Sequence, residues 1–187
     1  MNEIPVQTTI SGRRIRDNDT TYFLTFRVVN WIDVFTRARY CDIIVNSLNF
    51  CIEKKGLVVY SWVIMSNHIH LICKAVNGNL SGVIRDFKKH TSKEIIKSIK
   101  EDEESRRDWM LWMFERCAKK EKREGYTFWR EGNHAEELIS NHFKDQKLFY
   151  IHNNPVTARI VAEAHEYLWS SAIDYSDGKG LVKIEKM

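Results

Sequence analysis

The amino-acid sequence predicts an α+β fold, in which a central antiparallel sheet is covered by helices mainly on one face. Short β-branched and aromatic segments alternate with longer amphipathic ones, in the order strand, helix, strand, strand, helix, strand, helix. Two consecutive strands are joined by a tight turn, which makes them an antiparallel hairpin. Because the connections are short, the 187 residues are more consistent with one domain than with two.

The first predicted strand follows a polar N-terminal segment. Residues 21–29 are rich in β-branched and aromatic side chains, which is the composition of a strand. Residues 1–20 lack this pattern and contain Arg13 and Arg14, so we interpret them as a flexible basic arm.

A helix and the hairpin come next. Thr36 can cap a helix in which apolar residues recur at helical spacing, and Gly56 is placed to end it after Lys55. Residues 57–65 and 68–75 then form the two hairpin strands.

The second half of the chain contains more charge. Residues 80–99 predict a helix with an apolar stripe and a basic outer face, and residues 102–122 predict a further helix. Residues 125–130 are expected to be the last strand, whose aromatic side chains either pack in the core or offer stacking surfaces. Residues 135–153 predict the final long helix, and residues 181–184 a brief strand that covers a sheet edge or binds a partner.

The most informative motif is a pair of histidines in the second hairpin strand. Side chains at alternate positions of a strand share a face, so His68 and His70 should point the same way while Ile69 points into the core. Two neutral imidazoles on one face make half of a divalent-metal site. A solvated sheet face shows the same alternation, so the pair alone leaves both interpretations open. Asn67 is expected to hold the preceding turn.

A second motif lies about eighty residues further along the chain. Tyr150 and Asn154 are four residues apart, which places them on one helical face, although a tyrosine at such a position is by itself more typical of a structural residue. Pro155 disfavours the α conformation at Asn154, so Asn154 either ends this helix or caps a following one. His152 lies on another helix face, which indicates a structural or ligand-contacting role.

Composition excludes some classes of protein without selecting a function. Lys plus Arg number 29 against 25 for Asp plus Glu, and this mildly basic balance permits nucleic-acid binding without demanding it. The cysteines show neither metal-ligand spacing nor a dense disulfide pattern. No secretory signal pattern or long apolar run is present, so we expect a cytoplasmic protein that does not enter membranes.

Five segments follow one another as in a known family. They are residues 22–27, 63–71, 128–130, 150–156 and 169–171, with the elements His68-Ile69-His70 and Tyr150-x-x-x-Asn154-Pro155-Val156. On these residues the chain resembles the IS200-like single-tyrosine transposases, most closely the REP-associated tyrosine transposases. The resemblance runs from about Tyr22 to Tyr175, so we expect a catalytic domain at 21–176 and a tail at 177–187.

The resemblance implies both a fold and a mechanism. The fold would be a ferredoxin-like sandwich. Tyr150 would be the nucleophile, and His68, His70 and Asn154 would bind a divalent metal. The reaction would cleave and rejoin single-stranded DNA through a 5′-phosphotyrosine, with hairpin-forming DNA as the target and a monomer or homodimer as the active species. Mixed nitrogen and oxygen ligands suit Mg²⁺ or Mn²⁺.

Other parts of the chain leave alternatives open. The candidate DNA-binding residues are Arg13, Arg14, Arg85, Lys88, Lys89 and Arg130. A basic helix face can also be merely solvated. The charged segment 101–124 departs from the family pattern, which leaves open how flanking DNA is held. The two other functions considered are a hairpin-binding protein that does not cleave and a metal-dependent phosphohydrolase that uses water.

Overall fold

A computed structural model describes residues 14–187 and contains a four-stranded antiparallel sheet in the order β2-β3-β1-β4. The strands and helices are β1 (Tyr22–Arg27), α1 (Ala38–Lys55), β2 (Leu57–Ile64), β3 (His68–Ala75), α2 (Leu80–Glu101), α3 (Arg107–Lys120), β4 (Glu136–Glu137) and α4 (Asn141–Thr157). Short 3₁₀ turns lie at Val29–Trp31, Ala164–Glu166 and Ser171–Ser176. The predicted α+β class with an antiparallel sheet is therefore confirmed.

Alternation along β1 separates the two faces of the sheet. Leu24 and Phe26 lie in the main core together with buried residues of α1, α2 and α3. Phe23 lies on the other face, where it packs with Ile151 of α4 and Ile72 of β3. The helices therefore lie mainly on one face, as predicted, and α4 is the helix that covers the other face.

The predicted hairpin is confirmed. β2 and β3 pair from Leu57 opposite Ala75 to Ile64 opposite Ile69. The turn between them is held by backbone bonds, in which the Phe35 amide donates to the Ser66 carbonyl and the Val28 amide to the Asn67 carbonyl.

The C-terminal segment lies along the outer edge of β2. The predicted strand at 181–184 is wrong, because these residues form no ladder in the structure. Val182 is buried instead, and the Glu185 amide donates to the Val59 carbonyl. Earlier in the chain, Ser170 bridges to Val63 of the same strand. The expectation that the C-terminal part covers a sheet edge is thus met without a strand.

The predicted last strand at residues 125–130 is also wrong. Phe128 and Trp129 are buried in the main core, and an isolated bridge between Trp129 and Val28 is what remains of strand pairing. The place beside β1 is occupied by the two residues of β4, which pair with Tyr22 and Phe23. Of the two roles considered for these aromatic residues, core packing is the one observed.

The ends of three helices differ from the predictions. Arg37, not Thr36, occupies the N-cap of α1, and the Thr36 hydroxyl donates to the Asp33 carbonyl. The helix predicted at 102–122 begins only at Arg107. The residues before it include Glu104, whose buried carboxylate forms ion pairs with Arg37 and Arg106. The third difference is in α4. Gly56 adopts a left-handed conformation with φ 68° and ends α1 as predicted.

The predicted helix at 135–153 is shifted along the chain. It begins at Asn141, because the Ser140 hydroxyl accepts from the Phe143 amide as an N-cap, and it continues through Pro155 to Thr157. Both predictions for Asn154 are therefore wrong, because it neither ends this helix nor caps a following one. Asn154 lies within the helix that carries Tyr150.

Near the N-terminus, Arg13 lies outside the described residues, and Arg14 is exposed. Further on, the Arg16 and Asp17 amides face the Tyr22 hydroxyl, which accepts from them.

All four cysteines carry free thiols, and Cys41, Cys51 and Cys73 are buried. Within residues 14–187, no helix combines the length and apolar character needed to cross a bilayer.

Candidate active site

The two histidines of β3 lie side by side on the α4 face of the sheet. Their ring centroids are 4.8 Å apart, while Ile69 between them is fully buried on the other side. Strand alternation thus produces the shared face that the sequence predicted. On β1, Thr25 lies opposite His70 and Arg27 lies opposite His68.

A neighbouring side chain orients each imidazole. Thr25 Oγ1 and His70 Nδ1 are 2.9 Å apart, and Asn67 Oδ1 and His68 Nδ1 are 2.8 Å apart. With each Nδ1 proton donated to that oxygen, the lone pair of each ring is on Nε2. His70 Nε2 is buried and has no hydrogen-bond partner within residues 14–187. A buried nitrogen with a free lone pair and no hydrogen-bond donor is the arrangement expected of a metal ligand, because a bound cation would satisfy that lone pair.

Both imidazoles are held in the neutral form. Burial, followed by the nearby charge of Arg27, lowers the pKa of His68 to about 4. Burial, followed by His68 and then Lys147, lowers the pKa of His70 to about 3. At neutral pH the two rings therefore have free lone pairs, which is the state required for metal binding.

Helix α4 brings Tyr150 to the same place. The centroid of its ring is 5.2 Å from that of His70 and 6.0 Å from that of Phe23. About half of the side chain (48%) is exposed, so the ring remains accessible to a ligand. Lys147, one turn earlier, lies over the Phe23 ring and forms an ion pair of 3.0 Å with Glu136 of β4.

Two contacts fix the rotation of α4 about its axis. Ile151 is fully buried in the smaller core, and His152 Nε2 lies 3.1 Å from the Ser61 hydroxyl and 2.8 Å from the Ser171 hydroxyl. Burial lowers the pKa of His152 to about 4. Since His152 faces β2, Tyr150 is turned towards the histidines of β3. Of the two roles considered for His152, the structural one is observed.

Asn154 lies one turn after Tyr150 and lines the same cleft. Its Nδ2 donates to the Tyr150 carbonyl at 2.9 Å, an orientation that leaves Oδ1 as the atom able to bind a cation. Within residues 14–187, no group of three or more His, Cys, Asp or Glu side chains is arranged to hold a metal ion. A cation here would therefore rely on the histidine pair, the Asn154 amide and oxygen atoms of its ligand.

These side chains line one open cleft of about 410 Å³. Sequence reasoning missed several of its residues, namely Phe23, Thr25, Arg27, Trp31, His134, Glu136 and Lys147. Three of them had a detectable signal. Thr25 and Arg27 alternate on β1 as the histidines do on β3, and Lys147 precedes Tyr150 by almost one helical turn. The others depend on tertiary contacts.

The predicted DNA-binding residues are not all brought to this cleft. Arg85 and Lys89 are exposed on α2, which packs on the opposite face of the sheet. Lys88 does not belong to an exposed basic face, because its Nζ donates to the Arg130 and Gly132 carbonyls at 3.1 and 3.0 Å. Burial lowers the pKa of Lys88 to about 8. Arg130 itself is exposed, and its amide bonds to the carbonyl of Arg27, which lines the cleft.

Comparison with known proteins shows the family. Residues 18–154 match the family described as "Transposase IS200 like", which is more than half of the chain. The chain belongs to the IS200-like transposase family. The resemblance inferred from the histidine and tyrosine motifs is thereby confirmed.

Two solved structures are similar to this IS200-like transposase. One is a REP-associated tyrosine transposase bound to a REP hairpin, with a TM-score of 0.62 and 14% identity over 95% of this chain and 93% of that one. The other is a putative transposase from Deinococcus radiodurans R1, with a TM-score of 0.43 and 15% identity over 78% of this chain and 97% of that one. At such identities the first likeness supports the fold. No curated protein matches the chain.

Proposed function

We propose that this IS200-like transposase cleaves and rejoins single-stranded DNA, with Tyr150 as the nucleophile. One observation carries the proposal. Within a single cleft, the Tyr150 ring lies against His70, whose buried Nε2 has no hydrogen-bond partner within residues 14–187. The Tyr150 and His70 ring centroids are 5.2 Å apart, so a nucleophile at Tyr150 and a cation held by the histidine pair could act on one phosphate group.

The proposed step is a transesterification. The Tyr150 phenol oxygen attacks phosphorus and loses its proton, while the bond from phosphorus to the 3′ oxygen breaks. The departing oxygen takes up a proton and becomes the free 3′-hydroxyl of the upstream fragment, and the downstream fragment stays attached to Tyr150 through its 5′-phosphate. Because the energy of the broken bond is kept in the new ester, a 3′-hydroxyl can reverse the step without a nucleotide cofactor.

The donor set fits a hard or borderline divalent cation. His68, His70 and Asn154 would hold Mg²⁺ or Mn²⁺, which when bound would stabilise the negative charge that develops on the phosphate oxygens. The chain's own cations act in the same direction. Lys147 and Arg27 line the cleft and would attract and orient the phosphate group.

Hairpin-forming DNA is the substrate that we propose. The similar REP-associated transposase was solved bound to a REP hairpin, and that likeness extends over 95% of this chain. The open cleft and the half-exposed Tyr150 ring suit an extended single strand, such as the one that flanks a hairpin stem.

Formation of a covalent adduct tests the proposal. Purified protein is incubated with labelled hairpin oligonucleotides in the presence of Mn²⁺ and then denatured. We expect a DNA-bound protein band that depends on Mn²⁺ and disappears in Tyr150→Phe, because phenylalanine keeps the ring but lacks the attacking oxygen. DNA binding by this variant should be largely unchanged.

A second tyrosine provides the matched control. Tyr126 is half-buried beneath Lys100, away from the cleft, so Tyr126→Phe should form the adduct normally. Cleavage at the normal rate by Tyr150→Phe would favour a phosphohydrolase that uses water. Binding without cleavage of any hairpin by the unmodified protein would favour a hairpin-binding protein instead.

A further inference from the structure

A second cleft lies beside the candidate active site, and we propose that it binds a nucleotide of the single strand that flanks the scissile phosphate. This inference rests on the proposed function. The second cleft has a volume of about 420 Å³ and lies between the Val29–Trp31 turn and the C-terminal half of α3. Its lining includes Arg27, Asn30, Trp31, Cys117, Lys120 and Arg130. We call it the flanking cleft.

The flanking cleft adjoins the candidate active-site cleft. Arg27 and Trp31 line both of them. The Trp31 ring also meets His68 edge-on, with ring centroids 6.0 Å apart. A DNA strand whose phosphate lies beside Tyr150 can therefore extend past Trp31 into the flanking cleft without leaving the protein surface.

The charges at the junction of the two clefts suit a phosphate. Arg27 and Arg130 are joined by a backbone hydrogen bond of 2.8 Å, and their guanidinium groups are close enough to repel each other. Within residues 14–187, neither guanidinium has a carboxylate oxygen within 4.0 Å. Two adjacent cations without a carboxylate partner are a favourable site for an anionic group.

The acidic side chain in the flanking cleft is already engaged. Glu121 accepts from Arg123 at 3.1 Å and from the Thr127 hydroxyl at 3.2 Å. Lys120 precedes it at the end of α3 and adds a third cation to the lining. The charged segment that departs from the family pattern thus supplies one wall of the cleft, and that wall retains positive charge.

Trp31 offers the flat surface that a nucleobase requires. Its side chain is 51% exposed, although it is one of the largest apolar side chains, and Arg27 lies over its ring at 5.2 Å. Bases stack on exposed aromatic rings with little regard to sequence, and arginine reinforces such platforms.

The backbone that presents Trp31 is strained. Asn30 and Trp31 both adopt left-handed conformations, with φ of 52° and 56°, which non-glycine residues rarely do. Side chains on either side stabilise this turn. Asn30 Nδ2 donates to Cys117 Sγ at 3.1 Å, and Asn67 Nδ2 donates to the Trp31 carbonyl at 3.4 Å. Asn67 also orients His68, so the platform and the metal-binding face share one support.

Binding of unstructured DNA tests the inference. The probe is a fluorescent single-stranded thymidine oligonucleotide about a dozen nucleotides long, a length within the usual range for one binding site. We expect Trp31→Leu to weaken its binding by about tenfold or more. Trp109 provides a matched control, because it is also 51% exposed but lies on α3 outside both clefts, so Trp109→Leu should stay within about twofold of the unmodified protein.

Cys117 reports occupancy of the flanking cleft directly. It is half-buried in that lining, whereas the other three cysteines are buried, so alkylation by N-ethylmaleimide should modify Cys117 first. Saturating oligonucleotide should slow this alkylation in the unmodified protein and in Trp109→Leu. In Trp31→Leu, the same oligonucleotide concentration should protect Cys117 much less.

The outcomes separate this inference from the proposed function. Three results would each overturn the proposal that the flanking cleft binds a nucleotide. They are equal affinities of the two tryptophan variants, alkylation of Cys117 at a rate that DNA does not change, and no binding of the oligonucleotide. A Tyr150 adduct formed on hairpin DNA without Cys117 protection would overturn this inference alone. Cys117 protection without any Tyr150 adduct would leave the flanking cleft standing and overturn the proposed cleavage.

Discussion

Each histidine of the candidate site is oriented by one hydrogen bond to a neighbouring side chain, Thr25 for His70 and Asn67 for His68. Thr25 Oγ1 lies 2.9 Å from His70 Nδ1, and this contact fixes both the ring orientation and the nitrogen that can bind a metal. Thr25 is itself buried, so its hydroxyl serves the imidazole rather than solvent. Orientation of His70 is therefore the function of this threonine.

The variant Thr25→Val tests that role. Valine keeps the shape of the side chain and removes the hydroxyl, so we expect Mn²⁺ affinity to fall by about 10- to 100-fold, measured by titration calorimetry. Thr36→Val is the control, since Thr36 is exposed and bonds only weakly to the Asp33 carbonyl, at 3.4 Å. Unchanged Mn²⁺ affinity in Thr25→Val would show that the hydroxyl does not orient a ligand.

For individual side chains, local periodicity predicted some residues of the candidate site and missed others. The shared face of His68 and His70 follows from strand alternation alone. Thr25 required the register of β1 against β3, which no local pattern contains. The acceptors of Lys88 lie more than forty residues away in sequence, so a lysine expected to face solvent is enclosed instead.

Among the elements, α4 matters most, because its rotation decides where Tyr150 points. The contacts of His152 with Ser61 and Ser171 join α4 to β2 and to the C-terminal segment. Its pKa of about 4 in the folded protein lies below the ordinary value of 6.5. Between these values the unfolded chain binds a proton that the folded protein does not, so His152 contributes stability above pH 6.5 that is lost as the pH falls towards 4.

Acid denaturation of the metal-free protein measures this contribution. The free energy of unfolding should decrease as the pH falls through this range, and His152→Gln should reduce the slope by about one proton, or about 1.4 kcal/mol per pH unit. The exposed His142 lies on the same helix, so His142→Gln should leave the slope unchanged. An identical slope for the two variants would contradict the assigned role of His152.

Element prediction succeeded where the pattern was long and failed where tertiary contacts replaced local ones. The helix from Ala38 to Lys55 and the hairpin were predicted closely. Residues 125–130 have the composition of a strand, yet their backbone bonds are divided between the end of β1 and α3, as when the Thr127 amide donates to the Phe114 carbonyl. Pro155 suggested an end to α4, but the helix continues through it to Thr157, with the proline ring buried.

For the whole molecule, the positions of the charged side chains say more about a binding partner than the net charge does. A formal net charge of +4 is too small to predict a partner. The cations that line the two adjoining clefts nevertheless lie close together, namely Arg27, Lys120, Arg130 and Lys147. Family membership, by contrast, rests on the match of residues 18–154 to the family and not on the charge balance.

The salt dependence of DNA binding tests this arrangement. Contact with about four phosphates should make the logarithm of affinity for single-stranded DNA fall with the logarithm of salt concentration, with a slope of about −3. Arg130→Gln should reduce the magnitude of that slope by about 0.7. Arg116→Gln should not, because Arg116 lies over Trp112 on α3, outside both clefts. A flat salt dependence would contradict electrostatic binding along these clefts.

The most direct measurement is the site of DNA attachment. Trypsin should release residues 148–159 as one peptide, in which Tyr150 is the only tyrosine. After reaction with hairpin DNA and nuclease digestion, mass spectrometry should find a nucleotide on Tyr150 through a phosphodiester bond, and the cleaved partner strand should end in a 3′-hydroxyl. A nucleotide on any other residue, or cleavage that leaves a free 5′-phosphate and an unmodified peptide, would contradict Tyr150 as the nucleophile.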